Sequence, residues 1–227
     1  MLIRPELEAL RRDDTPQRQA QARLGSVLAQ WRAGPAALLD IELGQFGEGA
    51  ELDDLPLLSA LFAPGETAAE EFIAELVARL SAALGADPLG QVPLRHYTDD
   101  MVTSLMLARN SRATLALQAI DGAGLARRPA PQSVSFPPSE TVESVLAGSA
   151  RADLVRAIGV RPGAADLDTE GVELSPGTVQ RRDSSREALM LRGVTGSLVT
   201  LKLQRRTAQG AVTREYRLAD GALVHQA

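Results

Sequence analysis

The sequence predicts an α+β protein in which an N-terminal helical segment precedes an antiparallel β-barrel or sandwich. Apolar residues recur at helical spacing through about the first 90 residues. From Val92 onward the apolar residues form short runs, with turn residues about every 8–12 positions. Helices do not alternate with these runs, which argues against a parallel, doubly wound sheet. We therefore expect a helical segment over 1–90 and an antiparallel β domain over 91–227.

Helical periodicity predicts four helical regions, the first interrupted near Pro16, over residues 5–33, 35–43, 55–62 and 67–84. The last of these has the strongest signals. Thr67 stands at its N-cap with Glu70 three residues later, and an apolar stripe follows. Gly85 is expected to end this helix. The glycine-containing stretch 44–54 is interpreted as a loop.

Ten strand-like runs are predicted: 101–107, 113–120, 132–136, 141–146, 152–158, 172–174, 187–191, 197–204, 212–218 and 222–225. Ala147-Gly148 is interpreted as the end of the fourth strand. Pro176-Gly177 is interpreted as a turn, and Asp220-Gly221 predicts a hairpin between the last two strands. Asp121–Gly124 is interpreted as a turn that opens no helix.

Composition excludes several classes of protein. The chain has no cysteine, which rules out disulfides and thiolate metal sites. It has no apolar run of 18 residues, which argues against a membrane-spanning helix. The charged start, Met1–Glu6, lacks the features of a secretory signal, so a cytoplasmic location is expected. A net charge of −5 and an aromatic content of 3% argue against nucleic-acid binding.

Catalytic residues are harder to identify. The chain has no phosphate-binding loop and no nucleophile elbow. His96, Asp99 and Asp100 form the densest polar group, and His96 could act as a general base oriented by either carboxylate. The alternative is that Thr98–Asp100 is an ordinary turn that begins a strand. Only one other histidine, His225, is present, and we expect no metal site and no cofactor.

Three arginine pairs, 127–128, 181–182 and 205–206, are predicted at strand ends. Arg181, Arg182 and Arg205 are the candidates for binding an anionic ligand at one rim of a barrel. The alternative is that such pairs protect sheet edges and keep the protein soluble.

The stretch Pro137–Gly148 resembles the first conserved segment of the cupin superfamily, in which a strand leads into a corner that here reads Val145–Gly148. Downstream, Gly171 and the turn Pro176-Gly177 resemble the second segment of that family. The resemblance covers about 130–205 and implies a cupin-like jelly roll.

The departures from the family pattern concern its metal ligands. Thr141 stands where metal-binding cupins place a glutamate, and 135–137 covers the positions of two histidines. In the second segment, Gln180 and Ser184 stand at the histidine and asparagine positions. The resemblance therefore implies a metal-free barrel that holds a small molecule or is structural.

These observations favour a non-catalytic ligand-sensing or protein-interaction module. The alternative is an isomerase or hydrolase of a small anionic substrate, with its site around His96. The helix over 67–84 either packs against the chain's own sheet or pairs with a second copy in a homodimer. The acidic helical segment, with seven Arg against fifteen Asp or Glu in residues 1–90, is also a candidate surface for a partner protein.

Overall fold

The computed structural model describes residues 13–207 and 211–227. The predicted fold class is confirmed, because helices precede a large antiparallel sheet. The helices are α1 (Thr15–Ala33), α2 (Leu39–Glu48), α3 (Pro56–Leu61), α4 (Ala68–Ala86) and α5 (Gly122–Arg127). The strands are β1 (His96–Thr98), β2 (Val102–Arg109), β3 (Ala113–Asp121), β4 (Ser133–Phe136), β5 (Ser139–Arg161), β6 (Ala164–Leu174), β7 (Val179–Asp183), β8 (Glu187–Arg206), β9 (Arg214–Arg217) and β10 (Leu223–Gln226).

Contacts divide the described chain into two compact units. One contains the described residues up to Leu39 together with Glu70–Leu94. The other contains Asp40–Ala69 and Arg95–Ala227. The predicted division into a helical segment over 1–90 and an antiparallel β domain over 91–227 stays a prediction. Among the described residues, no helix combines the length and hydropathy needed to cross a bilayer.

The first unit has its own aromatic core. Trp31 of α1 is fully buried, and its ring centroid lies 4.9 Å from that of Phe72 in α4. Leu76 and Leu80 continue the buried stripe of α4, as its periodicity predicts. The expectation that Gly85 ends α4 is wrong, because the helix continues to Ala86.

The prediction of a loop over 44–54 is also wrong for the first half of that stretch, since α2 continues to Glu48. Gly47 lies inside this helix, where a Cβ atom would come within 3.2 Å of Asn110 Oδ1. The glycine therefore allows α2 to approach the turn between β2 and β3 closely, and it does not break the helix. Tertiary packing overrides the low helix propensity of glycine here.

The main sheet has the strand order β1-β2-β3-β8-β5-β6, and β7 pairs with the first part of β5. All of its pairings are antiparallel. A smaller sheet has the order β10-β9-β4. The hairpin predicted at Asp220-Gly221 is confirmed, since β9 and β10 pair on either side of Gly221. The small sheet contributes Val134, Phe136 and Tyr216 to a core shared with Val155 of β5.

Two strands are much longer than the sequence predicts. β5 has 23 residues where two strands were expected, and β8 has 20 where two were expected. Ala147-Gly148 is therefore not a strand end. The register between β5 and β8 shifts at Val145–Ala147 and again at Ala147–Ser149, with Gly148 at φ +82°. A β-bulge needs the same small, permissive residues as a turn, which explains the error.

The stretch Asp121–Gly124 is not a simple turn either. Asp121 Oδ2 accepts a hydrogen bond of 2.7 Å from the backbone N–H of Gly124, which makes it the N-cap of α5. The expectation that these residues open no helix is wrong.

The register gives the main sheet two different faces around β3, β5 and β8. One face presents Leu115, Val142, Leu201 and Leu203, each at most 1% exposed. Residues paired across the opposite face include Thr141 with Gln204 and Glu143 with Lys202. We call this second side the polar face, and it includes Arg182 of β7, which pairs with Thr141.

Candidate functional site

A cavity of about 1040 Å³ opens at the end of the main sheet where β2 and β8 finish and β5 begins. Its position follows from the topology, because the β2–β3 turn and the ends of β5 and β8 lie together there. Its lining residues are Met106, Arg109, Asn110, Ser111, Arg112, Thr114, Pro137, Pro138, Ser139, Gln204, Arg206, Thr207, Ala211 and Thr213.

The charge of this lining is one-sided. Among the described residues, its charged lining consists of Arg109, Arg112 and Arg206, without any Asp or Glu. Within the described part of the chain, none of these three arginines forms an ion pair. Many other arginines do, including Arg182 with Glu143 and Arg205 with Glu140. The cavity is therefore a region of uncompensated positive charge.

Local hydrogen bonds fix the polar groups of the cavity. Asn110 Oδ1 accepts from the backbone N–H groups of Arg112 and Ala113, at 2.8 and 2.7 Å, and this shapes the β2–β3 turn. Gln204 Nε2 donates to Ser139 Oγ at 2.9 Å. Gln204 and Ser139 belong to the polar face, so the cavity opens onto that face of the sheet.

A second group of polar residues, Glu143, Arg182 and Thr200, forms a buried cluster on the polar face. Arg182 Nη2 donates to Glu143 Oε2 at 2.9 Å, and Thr200 Oγ1 donates to Glu143 Oε1 at 3.0 Å. Burial opposes ionisation of Glu143, but the charges of Arg182 and Lys202 and these hydrogen bonds outweigh it. The pKa of Glu143 is therefore below its usual value. Arg182 Nη1 is buried and has no acceptor among the described residues.

The residues at the metal-ligand positions of the cupin pattern lie close to this cluster. Thr141 and Ser184 are both buried, and their hydroxyl oxygens lie 2.9 Å apart. Gln180 pairs with Glu143 across the sheet. Hydroxyl and amide groups are poor ligands for a transition metal, so these residues do not fit one. Among residues 13–207 and 211–227, no group of three His, Asp or Glu side chains could hold a metal ion.

The arginines proposed from the sequence are all engaged with carboxylates. Arg181 donates to Glu140 at 3.0 Å and to Glu51 at 3.1 Å. Arg182 pairs with Glu143, and Arg205 with Glu140. Arg181 and Arg182 also lie within β7, so the expectation that they end a strand is wrong. A ligand-binding role for these three stays a prediction.

Sequence reasoning missed Arg109 and Arg112 as candidates and named Arg206 only as half of a basic pair. The available signal was the turn Arg109–Arg112, which places two cations on either side of Asn110-Ser111. The sequence alone does not single out these residues, because it does not show that the end of β8 lies beside them.

His96, Asp99 and Asp100 lie at the start of the main sheet. His96 is exposed in β1 and pairs with Leu105. Asp99 Oδ1 accepts hydrogen bonds from the backbone N–H groups of Met101 and Val102, at 2.8 and 2.6 Å. Chiefly because of these two hydrogen bonds, the pKa of Asp99 falls to about 2.

Arg128 brings the two carboxylates together. It donates to Asp99 at 3.1 Å and to Asp100 at 2.6 Å. The predicted turn that begins a strand is thus present, and none of His96, Asp99 and Asp100 lines the described cavity. Catalysis by this group stays a prediction.

Comparison with known proteins finds similar solved structures only. No protein-family model and no curated protein matches the chain. Similar solved structures include a cupin superfamily protein from Desulfitobacterium hafniense, at 16% identity over 48% of this chain and 81% of that one, with a TM-score of 0.32. KdgF from Halomonas sp. is 13% identical over 49% of this chain and 86% of its own, with a TM-score of 0.35.

Ectoine synthase from P. lautus is 12% identical over 49% of this chain and 68% of its own, with a TM-score of 0.32. Cupin proteins are thus found among the structural neighbours, as the resemblance in Pro137–Gly148 predicts, and the match is weak.

Proposed function

We propose that this protein binds a small anionic molecule in the cavity at the end of the main sheet and acts as a ligand-sensing module. The observation that carries the proposal is the lining itself, with Arg109, Arg112 and Arg206 and no carboxylate. A volume of about 1040 Å³ is large enough for a metabolite-sized ligand.

The chemistry of the lining suits an anion with several oxygen atoms. A guanidinium group presents paired N–H donors that match a carboxylate or a phosphate. Hydroxyl groups of Ser139 and Thr114 and the amide of Gln204 add neutral hydrogen-bonding partners around these cations. Because the three arginines have no ion pair with any described residue, an anion gains their charge without displacing a carboxylate from that part of the chain.

The same lining argues for binding without catalysis. Its described residues include no His, Asp, Glu, Lys or Tyr side chain that could transfer a proton. The enzyme alternative depends on His96, Asp99 and Asp100, which lie elsewhere. Asp99 accepts two backbone hydrogen bonds and has a pKa of about 2, which makes it a weak base at neutral pH.

Isothermal titration with inorganic phosphate, citrate and a sugar phosphate, each beside a neutral sugar, tests the proposal. We expect at least one anion to bind, with an affinity that falls as salt is added. Arg206→Gln should weaken binding about tenfold, roughly 1.4 kcal/mol. Arg186→Gln is the matched control, because Arg186 is exposed and does not line the cavity. Absence of binding by all three anions, or equal losses in the two variants, would contradict the proposal.

A further inference from the structure

Lys202 is the only lysine of the chain, against 23 arginines. It lies in β8, the strand between β3 and β5, on the polar face and half-buried. A lysine in the middle of a sheet is unusual, because burial of an ammonium group is costly unless an anion compensates its charge.

The charges around Lys202 do not balance. Arg182 and Lys202 are two cations near one carboxylate, Glu143. Both oxygens of that carboxylate are engaged, one by Arg182 and the other by Thr200. Lys202 has no ion pair with any carboxylate of the described residues, and Arg182 Nη1 also lacks an acceptor there. The polar face around Glu143 therefore holds two cations and one carboxylate.

Lys202 lies two residues before the lining residue Gln204 in β8, on the same face of the sheet. Along β8, Arg206 and Gln204 line the cavity, and Lys202 follows on the same face. Lys202 pairs with Ala116 of β3, and Ala116 pairs with the lining residue Met106 of β2. The four residues of strand from Arg206 to Lys202 span about 13 Å. Three arginines thus line the cavity, and Lys202 is a separate cation further along the same face of β8.

We propose that the ligand carries an anionic group at each end, one held by the arginines of the cavity and the other received by Lys202. This inference rests on the proposed anion binding, and it adds the class of ligand: an elongated dianion such as an α,ω-dicarboxylate. The second anionic group supplies a further negative charge beside Arg182 and Lys202. A monoanion leaves one of the two cationic ends empty, so it binds more weakly.

The test compares linear dicarboxylates from succinate to suberate with monocarboxylates of the same carbon number. By titration calorimetry, we expect at least one dicarboxylate to bind ten times more tightly than its monocarboxylate. Lys202→Met should abolish this preference, and Lys202→Arg should keep most of it. If every dicarboxylate binds with the same affinity as its monocarboxylate, the proposed dianionic ligand is wrong, while the proposed anion site still stands. If no carboxylate and no phosphate binds, the proposed function itself fails.

A second measurement does not depend on the variants folding. Because Lys202 is the only side-chain amine, acylation by an N-hydroxysuccinimide ester followed by peptide mass mapping reports on it alone. We expect adipate to slow labelling of Lys202 at least fivefold, and hexanoate at the same ionic strength to leave it unchanged. Equal labelling rates in adipate and hexanoate overturn the proposed contact between Lys202 and the ligand.

Discussion

The guanidinium carbon of Arg205 lies 4.4 Å from the centroid of the Phe46 ring. The same guanidinium donates to the backbone carbonyls of Phe46 and Ala50, at 3.0 and 2.7 Å, and pairs with Glu140. Carbonyl groups near the end of a helix lack partners inside the helix. One side chain of β8 thus binds a carbonyl in the last turn of α2 and one just beyond it, and adds a cation–π contact.

Arg205→Lys should lower the free energy of unfolding by about 2 kcal/mol, because an ammonium group cannot make this planar set of hydrogen bonds. Urea denaturation followed by circular dichroism measures the change. Arg186→Lys, at an exposed position without an ion pair, is the control and should leave the midpoint unchanged. A midpoint for Arg205→Lys equal to that of wild type would show that the contacts to α2 contribute little.

Gly148→Ala should destabilise the protein more than Gly163→Ala. Both glycines have a positive φ, +82° and +79°, so each alanine carries a backbone cost of about 1–2 kcal/mol. At Gly148 a Cβ atom would also meet the carbonyl oxygen of Ser197 at 2.0 Å, whereas at Gly163 it would meet nothing within 4 Å. Thermal unfolding of both variants separates the two causes. Equal losses would mean that the bulge in β5 can open to admit a methyl group.

Glu143→Gln should make stability less dependent on pH. The pKa of Glu143 is lower in the folded protein than its value of about 4.5 in the unfolded chain. Its charge therefore stabilises the fold at a pH above about 4.5, and this stabilisation is lost as the pH falls through the pKa of the folded state. We expect a loss of about 3 kcal/mol at pH 7, where the partner Arg182 is left unpaired. The gap between variant and wild type should shrink below about pH 4.5.

Urea titrations at several pH values between 3 and 8 measure this gap. A gap that is constant over the whole range would show that the ionisation of Glu143 is not linked to folding. Glu173→Gln, on the exposed part of β6, is a suitable control for the general effect of removing one carboxylate.

Asp121→Ala should cost about 1 kcal/mol of stability, because it removes the acceptor that caps α5. Asp121→Asn keeps an oxygen acceptor at the same place and should cost much less. Chemical denaturation of both variants provides the comparison. Equal losses would indicate that the charge of Asp121, and not its hydrogen bond to Gly124, stabilises this region.

The order of helices and strands could be predicted from the sequence because periodicity and turn residues are local signals. The lengths of β5 and β8 could not be predicted from these local signals. Ala147-Gly148 has the composition of a turn, and only its pairing with the strand around Ser197 reveals a bulge. Gly47 was misjudged for the same reason, since its neighbour Asn110 is remote in sequence.

The candidate site was predicted only in outline. Binding of an anion by arginines at one rim is a prediction from the arginine pairs, and the choice of arginines depends on register. Arg181 and Arg182 meet Glu140 and Glu143 about 40 residues away and are neutralised there. Arg206 ends its strand beyond the reach of such partners. Sequence spacing does not contain that difference, because it arises from long-range strand pairing.

The position of β8 has a consequence for synthesis of the chain. β8 lies between β3 and β5 in space, yet it follows both in sequence, and Ser139 pairs with Arg206. A nascent polypeptide that has emerged from the ribosome only as far as residue 186 therefore has two separate β segments with unpaired edges. These segments join only when the next twenty residues leave the exit tunnel. During that interval the unpaired strand edges are most exposed, and a chaperone has most surface to cover.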